Sequence, residues 1–542
     1  MSTDYSELIA KISGIVNQQL VTIKITGTSI ALIDDQTVAW SQGFGFADKE
    51  NEIKASPETI YKIGSITKVF TGTAIMQLAE QGKLNIDHPV KEYIPEFTVK
   101  SRFGDTHPIT IRSLMTHHSG LSTDNLSGYF DDNDDAFKTI VDYLQTQYVA
   151  FPQNYIFSYS NLATDLLGVI ISRVSGIEYW RYIEQNILRP LEIDRSFAKT
   201  QKDRSNIAKA YENADSPGMI EPSLRDKPAG CMDSTVIDMS HFVSMLFAGG
   251  IYKNNIIIKL ETLAEMFTIQ NKDIPLDFNF KIGLNWLLSR SGLENAGKVC
   301  WHDGGSPHYF SIIVILPEQK LGVVIMTNSA SGMMFTQMMA DEILQQALCV
   351  KTNIKLSANQ EFQHVNNELL PGAYATLKGV IEINERNTVI MSGVEFKLTP
   401  DIDGWYQITG LPTLRLNTTR IKGMDILALE QSVGKTRFQT ALGTNLLKNP
   451  VLKPWQQMVG VYYPFGEAES SIQSIQMIHK DDILVMNVQA RKIGQMQTIL
   501  YVISDNEAII QGLGRFAGET VYRNSNAELK IFGLTFRRFT TD

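Results

Sequence analysis

The sequence of 542 residues is poor in cysteine and has no long apolar run. Its three cysteines, Cys231, Cys300 and Cys349, are widely spaced and form neither a Cys-x-x-Cys pair nor a metal-ligand pattern. This argues against a disulfide framework, and we expect the cysteines to be small buried side chains, or at most one fortuitous pair. No stretch approaches the roughly 18 consecutive apolar residues of a membrane-spanning helix, so we expect no membrane span.

Basic residues are outnumbered by acidic ones, 49 to 58, which gives a formal net charge of -9. Such a balance argues against nucleic acid or an anionic membrane surface as the main partner. The amino terminus has Asp4 and Glu7 where a secretory signal would carry its basic and then its apolar region. We therefore expect a cytoplasmic protein, unless a leader is missing from the sequence.

Several catalytic motifs are also missing. No Gly-x-Ser-x-Gly elbow occurs, which argues against an α/β-hydrolase, and no Gly-x-Gly-x-x-Gly or P-loop pattern indicates a nucleotide site. His117 and His118 lack a His-Glu-x-x-His context or an acidic partner at ligand spacing, so we interpret them as structural. The sequence predicts no metal and no organic cofactor.

Residues 1–355 mix helical and strand patterns. A first helix is predicted from Tyr5 to Gln19. Strands are predicted near both ends of the region, at 26–34, 37–48, 309–317 and 321–329. Long helix-periodic stretches are predicted between them and after them, at 65–83, 160–175 and 335–349. We therefore predict an α+β domain whose sheet joins its first and last segments.

The remainder of the chain has almost no helical period and shows many short alternating runs with Gly or Asp turns, a pattern typical of antiparallel β-structure. It also looks duplicated, because the segment Leu370–Tyr374 is echoed by the segment Met458–Tyr462. We predict two β modules, 360–450 and 451–542, whose short strands close into small barrels.

Ser65 and Lys68 stand three residues apart at the start of the first long helical stretch. Two other Ser-x-x-Lys patterns occur, at 196–199 and 432–435, so the pattern alone is no rarer than chance. Only Ser65 opens a long predicted helix, where this spacing puts both side chains on one face and the serine in the positive field of the helix end. The pair is either an N-cap serine beside a surface lysine or a nucleophile beside its activating base.

Two further motifs follow in a specific order. Tyr159-Ser160-Asn161 opens another predicted helix, and the segment 302–305, His-Asp-Gly-Gly, precedes a buried strand. Neither motif is rare by itself. The combination of Ser-x-x-Lys on a helix, then Tyr-x-Asn, then His-x-Gly leading a strand is specific.

With these motifs, the region from about 5 to 350 resembles the serine hydrolases related to class C β-lactamases and low-molecular-weight penicillin-binding proteins. Supporting segments are LMTHHSGL (114–121), PAGCMDSTVIDMSHF (228–242) and GLNW (283–286). The layout is most similar to D-stereospecific aminopeptidases, which carry lipocalin-like barrels at the C-terminus. The resemblance implies an antiparallel sheet with a helical subdomain, followed by two barrels.

The resemblance also implies roles for the motif residues. Ser65 would attack the substrate, while Lys68 and Tyr159 would move protons, since a serine hydroxyl needs a base whose pKa burial can depress. The residues that would bind the substrate or the oxyanion are Asn161, His302, Gly304 and Gly305. The oxyanion would lie on the backbone amides of Ser65 and Gly305.

One departure from the family bears on the substrate. Many relatives have Lys-Thr-Gly where this chain has His302-Asp303-Gly304, and histidine is a weaker anchor for a substrate carboxylate than lysine. We therefore expect hydrolysis of small amides, short peptides including D-amino-acid peptides, or esters, ahead of β-lactamase or D,D-carboxypeptidase activity. A non-catalytic protein that binds a ligand or partner is the remaining alternative. The oligomeric state, a homo-oligomer included, stays open.

Overall fold

The computed structural model describes residues 3–104, 108–131, 133, 136–197, 206–290, 292–352, 369–401, 403–433, 436–466, 471–490 and 494–538. Within them the chain forms an α+β domain followed by two closed β-barrels, which confirms the predicted fold class. No described helix combines the length and the apolar character needed to cross a lipid bilayer.

An antiparallel sheet of six strands forms the centre of the first domain. The strands of this domain are β1 (Gly27–Asp34), β2 (Thr37–Asp48), β3 (Ile53–Lys54), β4 (Tyr61–Lys62), β5 (Asp233–Ser234), β6 (Ile251–Tyr252), β7 (Asn255–Ile256), β8 (Cys300–Gly305), β9 (Phe310–Leu316) and β10 (Leu321–Thr327). The sheet order is β3-β2-β1-β10-β9-β8. Thr28 pairs with Thr327 and Asp34 with Leu321, so the first and last segments lie side by side, as predicted.

Helices cover both faces of this sheet. The helices of the first domain are α1 (Ser6–Ile23), α2 (Thr67–Glu80), α3 (Val90–Tyr93), α4 (Ile111–Met115), α5 (Ile140–Thr146), α6 (Asn161–Ser175), α7 (Tyr179–Ile183), α8 (Lys227–Gly230), α9 (Val236–Phe247), α10 (Leu260–Met266) and α11 (Gly332–Thr352). Ile312 and Val314 share a core with α1 and α11, while Ile313 and Ile315 share the other core with α2 and α9. Because both faces are covered, β9 and β10 are continuous apolar runs.

The start of α2 differs from the sequence prediction. Ser65 lies in a 3₁₀ turn, Gly64–Ile66, and the α-helix begins only at Thr67. The turn arises because the amide of Ile66 bonds to the carbonyl of Ile63 at 3.3 Å, an i to i+3 contact that tightens the helix entry. The cap position of α2 is Ile66, without a side-chain cap, so Ser65 is not its N-cap.

The C-terminal region forms two barrels of eight strands each. The first barrel consists of β11 (Gly372–Thr376), β12 (Gly379–Asn384), β13 (Thr388–Met391), β14 (Val394–Pro400), β15 (Tyr406–Ile408), β16 (Leu414–Ile421), β17 (Met424–Val433) and β18 (Thr436–Asn445). The second consists of β19 (Gly460–Phe465), β20 (Ile472–Lys480), β21 (Ile483–Ala490), β22 (Gly494–Val502), β23 (Glu507–Ile510), β24 (Thr520–Arg523), β25 (Leu529–Ile531) and β26 (Leu534–Arg538). A short helix, α12 (Lys453–Gln456), lies between them.

The echoed pentapeptides occupy equivalent places in the two barrels. In the first, the buried Tyr374 donates its hydroxyl proton to the carbonyl of Leu370 at 2.8 Å. In the second, the buried Tyr462 does the same to the carbonyl of Met458 at 3.0 Å. Each tyrosine thus fixes the entry of its barrel's first strand. The predicted boundary between 355 and 360 lies outside the described residues.

Candidate active site

Ser65 is held beside the end of strand β8 by a glycine turn. Gly64 has a φ of +51°, and a Cβ built on it would lie 2.6 Å from the amide nitrogen of Gly305. Only glycine combines this left-handed conformation with so close an approach. The Ser65 side chain is partly exposed, so a substrate can reach it.

Lys68 lies fully buried on the first turn of α2. Its Nζ donates to Asn161 Oδ1 at 2.8 Å and to the carbonyl of Ala229 at 2.6 Å, and contacts Ser65 Oγ at 3.3 Å. Burial lowers the pKa of Lys68 to about 7. In the neutral amine the two carbonyl-type acceptors take both N–H groups, which leaves the lone pair for the hydroxyl of Ser65.

The ring of Tyr159 lies next to the amine of Lys68. The Lys68 Nζ lies 4.8 Å from the centroid of the Tyr159 ring, and the centroid of the tilted His117 ring lies 4.4 Å from it. Burial raises the pKa of Tyr159, while the neighbouring Ser65 hydroxyl and the charge of Arg515 lower that pKa by less. The phenol is therefore protonated near neutral pH and can serve as a proton donor beside Ser65.

Asn161 begins α6 and links Lys68 to a buried carboxylate. Its Oδ1 accepts from Lys68, and its Nδ2 donates to Asp124 Oδ1 at 2.6 Å. The side chain of Ser160 accepts from the amide of Ala163 and caps the helix, which fixes the position of Asn161. The structure therefore explains how Asn161 orients Lys68. Its contact with a substrate amide stays a prediction.

The His-x-Gly segment lies on β8, at the edge of the sheet that faces Ser65. A Cβ on Gly304 would lie 1.8 Å from the carbonyl oxygen of Ile63, so glycine is required for the two segments to touch. His302 is buried, and its Nδ1 lies 2.6 Å from the carbonyl of Asp303. Burial and the nearby Lys68 lower the pKa of His302 to about 3, so this side chain is neutral. It therefore offers no charge to a substrate carboxylate.

Two carboxyl groups that the sequence analysis did not identify lie buried near Lys68. They are Asp165, one turn after Asn161 on α6, and Asp226, which accepts a hydrogen bond from Arg225 Nε at 2.7 Å. Burial and the neighbouring Asp226 raise the pKa of Asp165 well above its usual range. The negative charge of the two carboxyl groups raises the pKa of Lys68 against the effect of burial.

The second barrel also contributes to the site. The segment between β23 and β24, residues 511–519, is called the barrel loop here, and it carries Arg515 to Tyr159. The Arg515 Cζ lies 5.2 Å from the centroid of the Tyr159 ring, and Nη2 pairs with Asp124 Oδ2 at 2.8 Å. One buried carboxylate, Asp124, thus links Arg515 to Asn161.

The structure brings the three predicted catalytic side chains together and places the β8 segment against the Ser65 turn. Sequence reasoning missed Arg515, since it is 450 positions from Ser65 in a region that shows only β-structure. A signal was present, because Gly512, Gly514 and Gly518 surround an Arg-Phe pair between two strands, and each has a positive φ. Binding and catalytic residues are often found on loops that connect the strands of a rigid scaffold.

Comparison with known proteins finds relatives of the first domain. Residues 12–348 match the family model described as Beta-lactamase. Protein flp of Staphylococcus aureus strain N315 is 28% identical over 323 residues, which cover 59% of this chain and 62% of flp. The chain therefore spans about three-fifths of the length of the curated relatives it matches.

Solved structures share the fold. An octameric penicillin-binding protein homologue from Pyrococcus abyssi has a TM-score of 0.55 at 24% identity and covers 81% of this chain and 100% of its own. The crystal structure of SurE with D-Leu has a TM-score of 0.53 at 17% identity and covers 98% of this chain and 99% of its own. At these identities the likeness establishes the fold and says nothing of the substrate.

Proposed function

Because this chain belongs to the β-lactamase family, we propose that it is a serine hydrolase that forms an acyl-enzyme on Ser65. One observation carries the proposal: a fully buried lysine amine, with its two N–H groups taken up by Asn161 and Ala229, lies 3.3 Å from the Ser65 hydroxyl. A nucleophile beside a base that is uncharged above pH 7 is the arrangement that acyl transfer requires.

In the proposed acylation, neutral Lys68 accepts the hydroxyl proton as Ser65 Oγ bonds to the substrate carbonyl carbon. Tyr159 donates its proton to the leaving nitrogen or oxygen as the scissile bond breaks, and Lys68 then returns a proton to Tyr159. The negative oxygen is held by the backbone amides of Ser65 and Gly305, each contributing roughly 2.7–4 kcal/mol in the transition state. Water, activated by the same groups, then releases the acyl product.

The proposed substrates are small amides and short peptides, including peptides with a D-residue, with short-chain esters as the second class. The neutral state of His302 supports this choice over substrates that relatives anchor through a charged lysine on the same strand. β-Lactam hydrolysis, D,D-carboxypeptidase action and a purely binding role are the alternatives. A panel of p-nitrophenyl esters, D- and L-aminoacyl anilides and a chromogenic cephalosporin separates these classes.

The test of the proposed chemistry is covalent labelling with an uncharged fluorophosphonate, followed by peptide mass spectrometry. We expect one adduct, on the peptide that contains Ser65, and no adduct in Ser65→Ala. Ser432→Ala is the matched control, since Ser432 begins another Ser-x-x-Lys pattern in the first barrel, and it should label like the wild type. Labelling that persists in Ser65→Ala, or a wild-type protein that takes no label, would contradict the proposal.

A further inference from the structure

His117 is a buried histidine beside the candidate active site, and it takes no part in the proposed acylation steps. Its ring centroid lies 4.4 Å from that of Tyr159, and the two ring planes meet at 31°. We propose that His117 is a positioning residue that holds the Tyr159 hydroxyl where it can protonate the leaving group. This inference rests on the proposed serine hydrolase function and adds a residue to its machinery.

His117 occupies a backbone position that ordinarily belongs to glycine. Helix α4 ends at Met115, and His117, two residues further on, has a φ of +58°. The amide of His117 donates to the carbonyl of Leu114 at 3.3 Å. The amide of His118 donates to the carbonyl of Ser113 at 2.9 Å. These two bonds form a Schellman motif, whose left-handed residue is usually glycine and sometimes asparagine. Because a histidine is strained in this conformation, we attribute its presence to the contacts of its side chain.

His117 holds the chain on both sides of Tyr159. Its carbonyl accepts a hydrogen bond from the amide of Ser158 at 2.9 Å, and its Nδ1 accepts one from the amide of Ser160 at 3.2 Å. The first bond uses the main chain of His117, whereas the second needs the imidazole. Because Tyr159 lies between the two bonded amides, its backbone has little freedom to shift.

The imidazole also limits where the phenol ring can lie. The centroid of the Tyr159 ring has the His117 ring at 4.4 Å and the Lys68 Nζ at 4.8 Å. The ring of Phe157 meets that of His117 edge to face, with centroids 5.7 Å apart and planes at 88°. His117 is 1% exposed, so its ring is packed on all sides. A neighbour fixed in this way keeps the hydroxyl of Tyr159 beside that of Ser65.

The hydrogen bond at Nδ1 needs a neutral ring in one tautomer. An Nδ1 that accepts a hydrogen bond carries no proton, so the proton of the neutral ring is on Nε2. Burial, and then the charge of Lys68, lower the pKa of His117 well below its usual range, so the ring is neutral near pH 7. The adjacent His118 has a different partner, since its Nε2 lies 2.8 Å from the buried carboxyl group of Asp277. The two histidines therefore serve different parts of the first domain.

The experiment compares two esters with the same acyl group, p-nitrophenyl butyrate and ethyl butyrate. Nitrophenolate leaves without a proton, whereas ethoxide must take the Tyr159 proton to leave as ethanol. Butyrate release is measured by mass spectrometry, and kcat/KM, which reports acylation, is obtained for each ester. His117→Gly, which suits the left-handed backbone, should lower kcat/KM for ethyl butyrate by about 10- to 100-fold and that for the nitrophenyl ester by less than about threefold.

Three variants show whether His117 acts through Tyr159. His117→Asn keeps an acceptor near the position of Nδ1 and tolerates the left-handed backbone, so it should restore part of the ethyl ester rate. Tyr159→Phe should reproduce the selective loss, and adding His117→Gly to it should lower the rate by no more than about twofold. His118→Asn is the matched control, because it removes an equally buried histidine and its contact with Asp277, and it should keep the wild-type ratio of the two rates.

Three results would overturn the inference: equal losses on the two esters in His117→Gly, the same loss again in the Tyr159→Phe background, or a wild type that cleaves only the nitrophenyl ester. When fluorophosphonate labels Ser65 in the wild type, each of these results leaves the hydrolase proposal standing. If the wild type takes no label and cleaves neither ester, the proposed function itself fails, and the inference fails with it.

Should His117→Gly fail to fold, the wild type still decides. Long-range ¹H–¹⁵N spectra of protein labelled at histidine show which ring nitrogen carries the proton, and His117→Asn identifies the signal among those of the nine histidines. We expect the proton of His117 on Nε2 at pH 7. A proton on Nδ1, in the neutral ring or in an imidazolium, would overturn the inference, because Nδ1 could not then accept from the amide of Ser160.

Discussion

The charge of Arg515 should shift the pH at which Ser65 becomes reactive. Lys68 must be neutral to accept the serine proton, and its pKa is lowered to about 7 by burial, with Arg515 lowering it further and Asp165 and Asp124 raising it. Since the ammonium is the inactive form, reactivity should rise with pH up to about 7 and then level off. Each pH unit below this point should cost about tenfold.

The size of the effect follows from the geometry. Lys68 Nζ and Arg515 Cζ lie 4.8 and 5.2 Å from the same ring centroid, so the two charges are at most about 10 Å apart. At an effective dielectric constant of about 20 the repulsion is roughly 1.7 kcal/mol, or about one pKa unit. Because Arg515 is 43% exposed, solvent screening reduces this value, and we expect about 0.5 to 1 unit.

Removing the charge with Arg515→Gln should therefore raise the pKa of Lys68 and move the rising limb to higher pH by that amount. The loss of the partner of Asp124 acts in the same direction. The assay is the rate of Ser65 labelling by an uncharged fluorophosphonate as a function of pH, which does not depend on knowing the substrate. Arg537→Gln, which changes an exposed arginine on β26 of the same barrel that pairs with Glu528, should leave the limb in place. A limb that does not move, or moves to lower pH, would refute the reasoning.

Three further predictions follow from single contacts. Lys68→Met should lower Ser65 reactivity by about 10²- to 10⁴-fold while the circular dichroism spectrum is retained. Lys83→Met, which changes an exposed lysine, should have no effect. Near-wild-type reactivity in Lys68→Met would exclude Lys68 as the base. Gly304→Ala should destabilise the protein by about 2 kcal/mol or more in chemical denaturation, because the added Cβ would clash with the Ile63 carbonyl oxygen. Gly14→Ala on α1, where the space around the Cβ is open, should be neutral or stabilising. Tyr374→Phe and Tyr462→Phe should each cost about 1 kcal/mol through the lost hydrogen bond at a barrel entry, and a large loss in one alone would argue against equivalent roles.

The sequence predicts the first domain well because its signals are local and strong. The two buried strands near 309–329 are apolar on both faces, and the long helices have clear periods, so β9, β10, α6 and α11 lie close to their predicted positions. The start of α2 was predicted two residues too early, because the 3₁₀ turn at Gly64–Ile66 runs directly into the α-helix. The spacing of apolar residues does not distinguish a short 3₁₀ turn from the first turn of an α-helix.

The three predicted motifs meet in space because each lies at the end of an element that packs on its neighbours. What the sequence could not provide is the contribution of the second barrel. The ion pair between Arg515 and Asp124 depends on how two domains dock, and no periodicity or short motif encodes that docking. Likewise, the buried Asp165 looks in the sequence like an ordinary polar residue on a helix, and only its burial beside Asp226 shows that it affects Lys68.

The most direct measurement of the central claim is the trapping of an acyl-enzyme during turnover. A reactive p-nitrophenyl ester is mixed with the protein, quenched in acid within milliseconds to seconds, and the intact mass and its proteolytic peptides are determined. The account predicts a mass increase equal to the acyl group, on the peptide with Ser65, that forms before the steady state and disappears as product accumulates. Turnover without any adduct, or an adduct on another residue that also appears in Ser65→Ala, would contradict it.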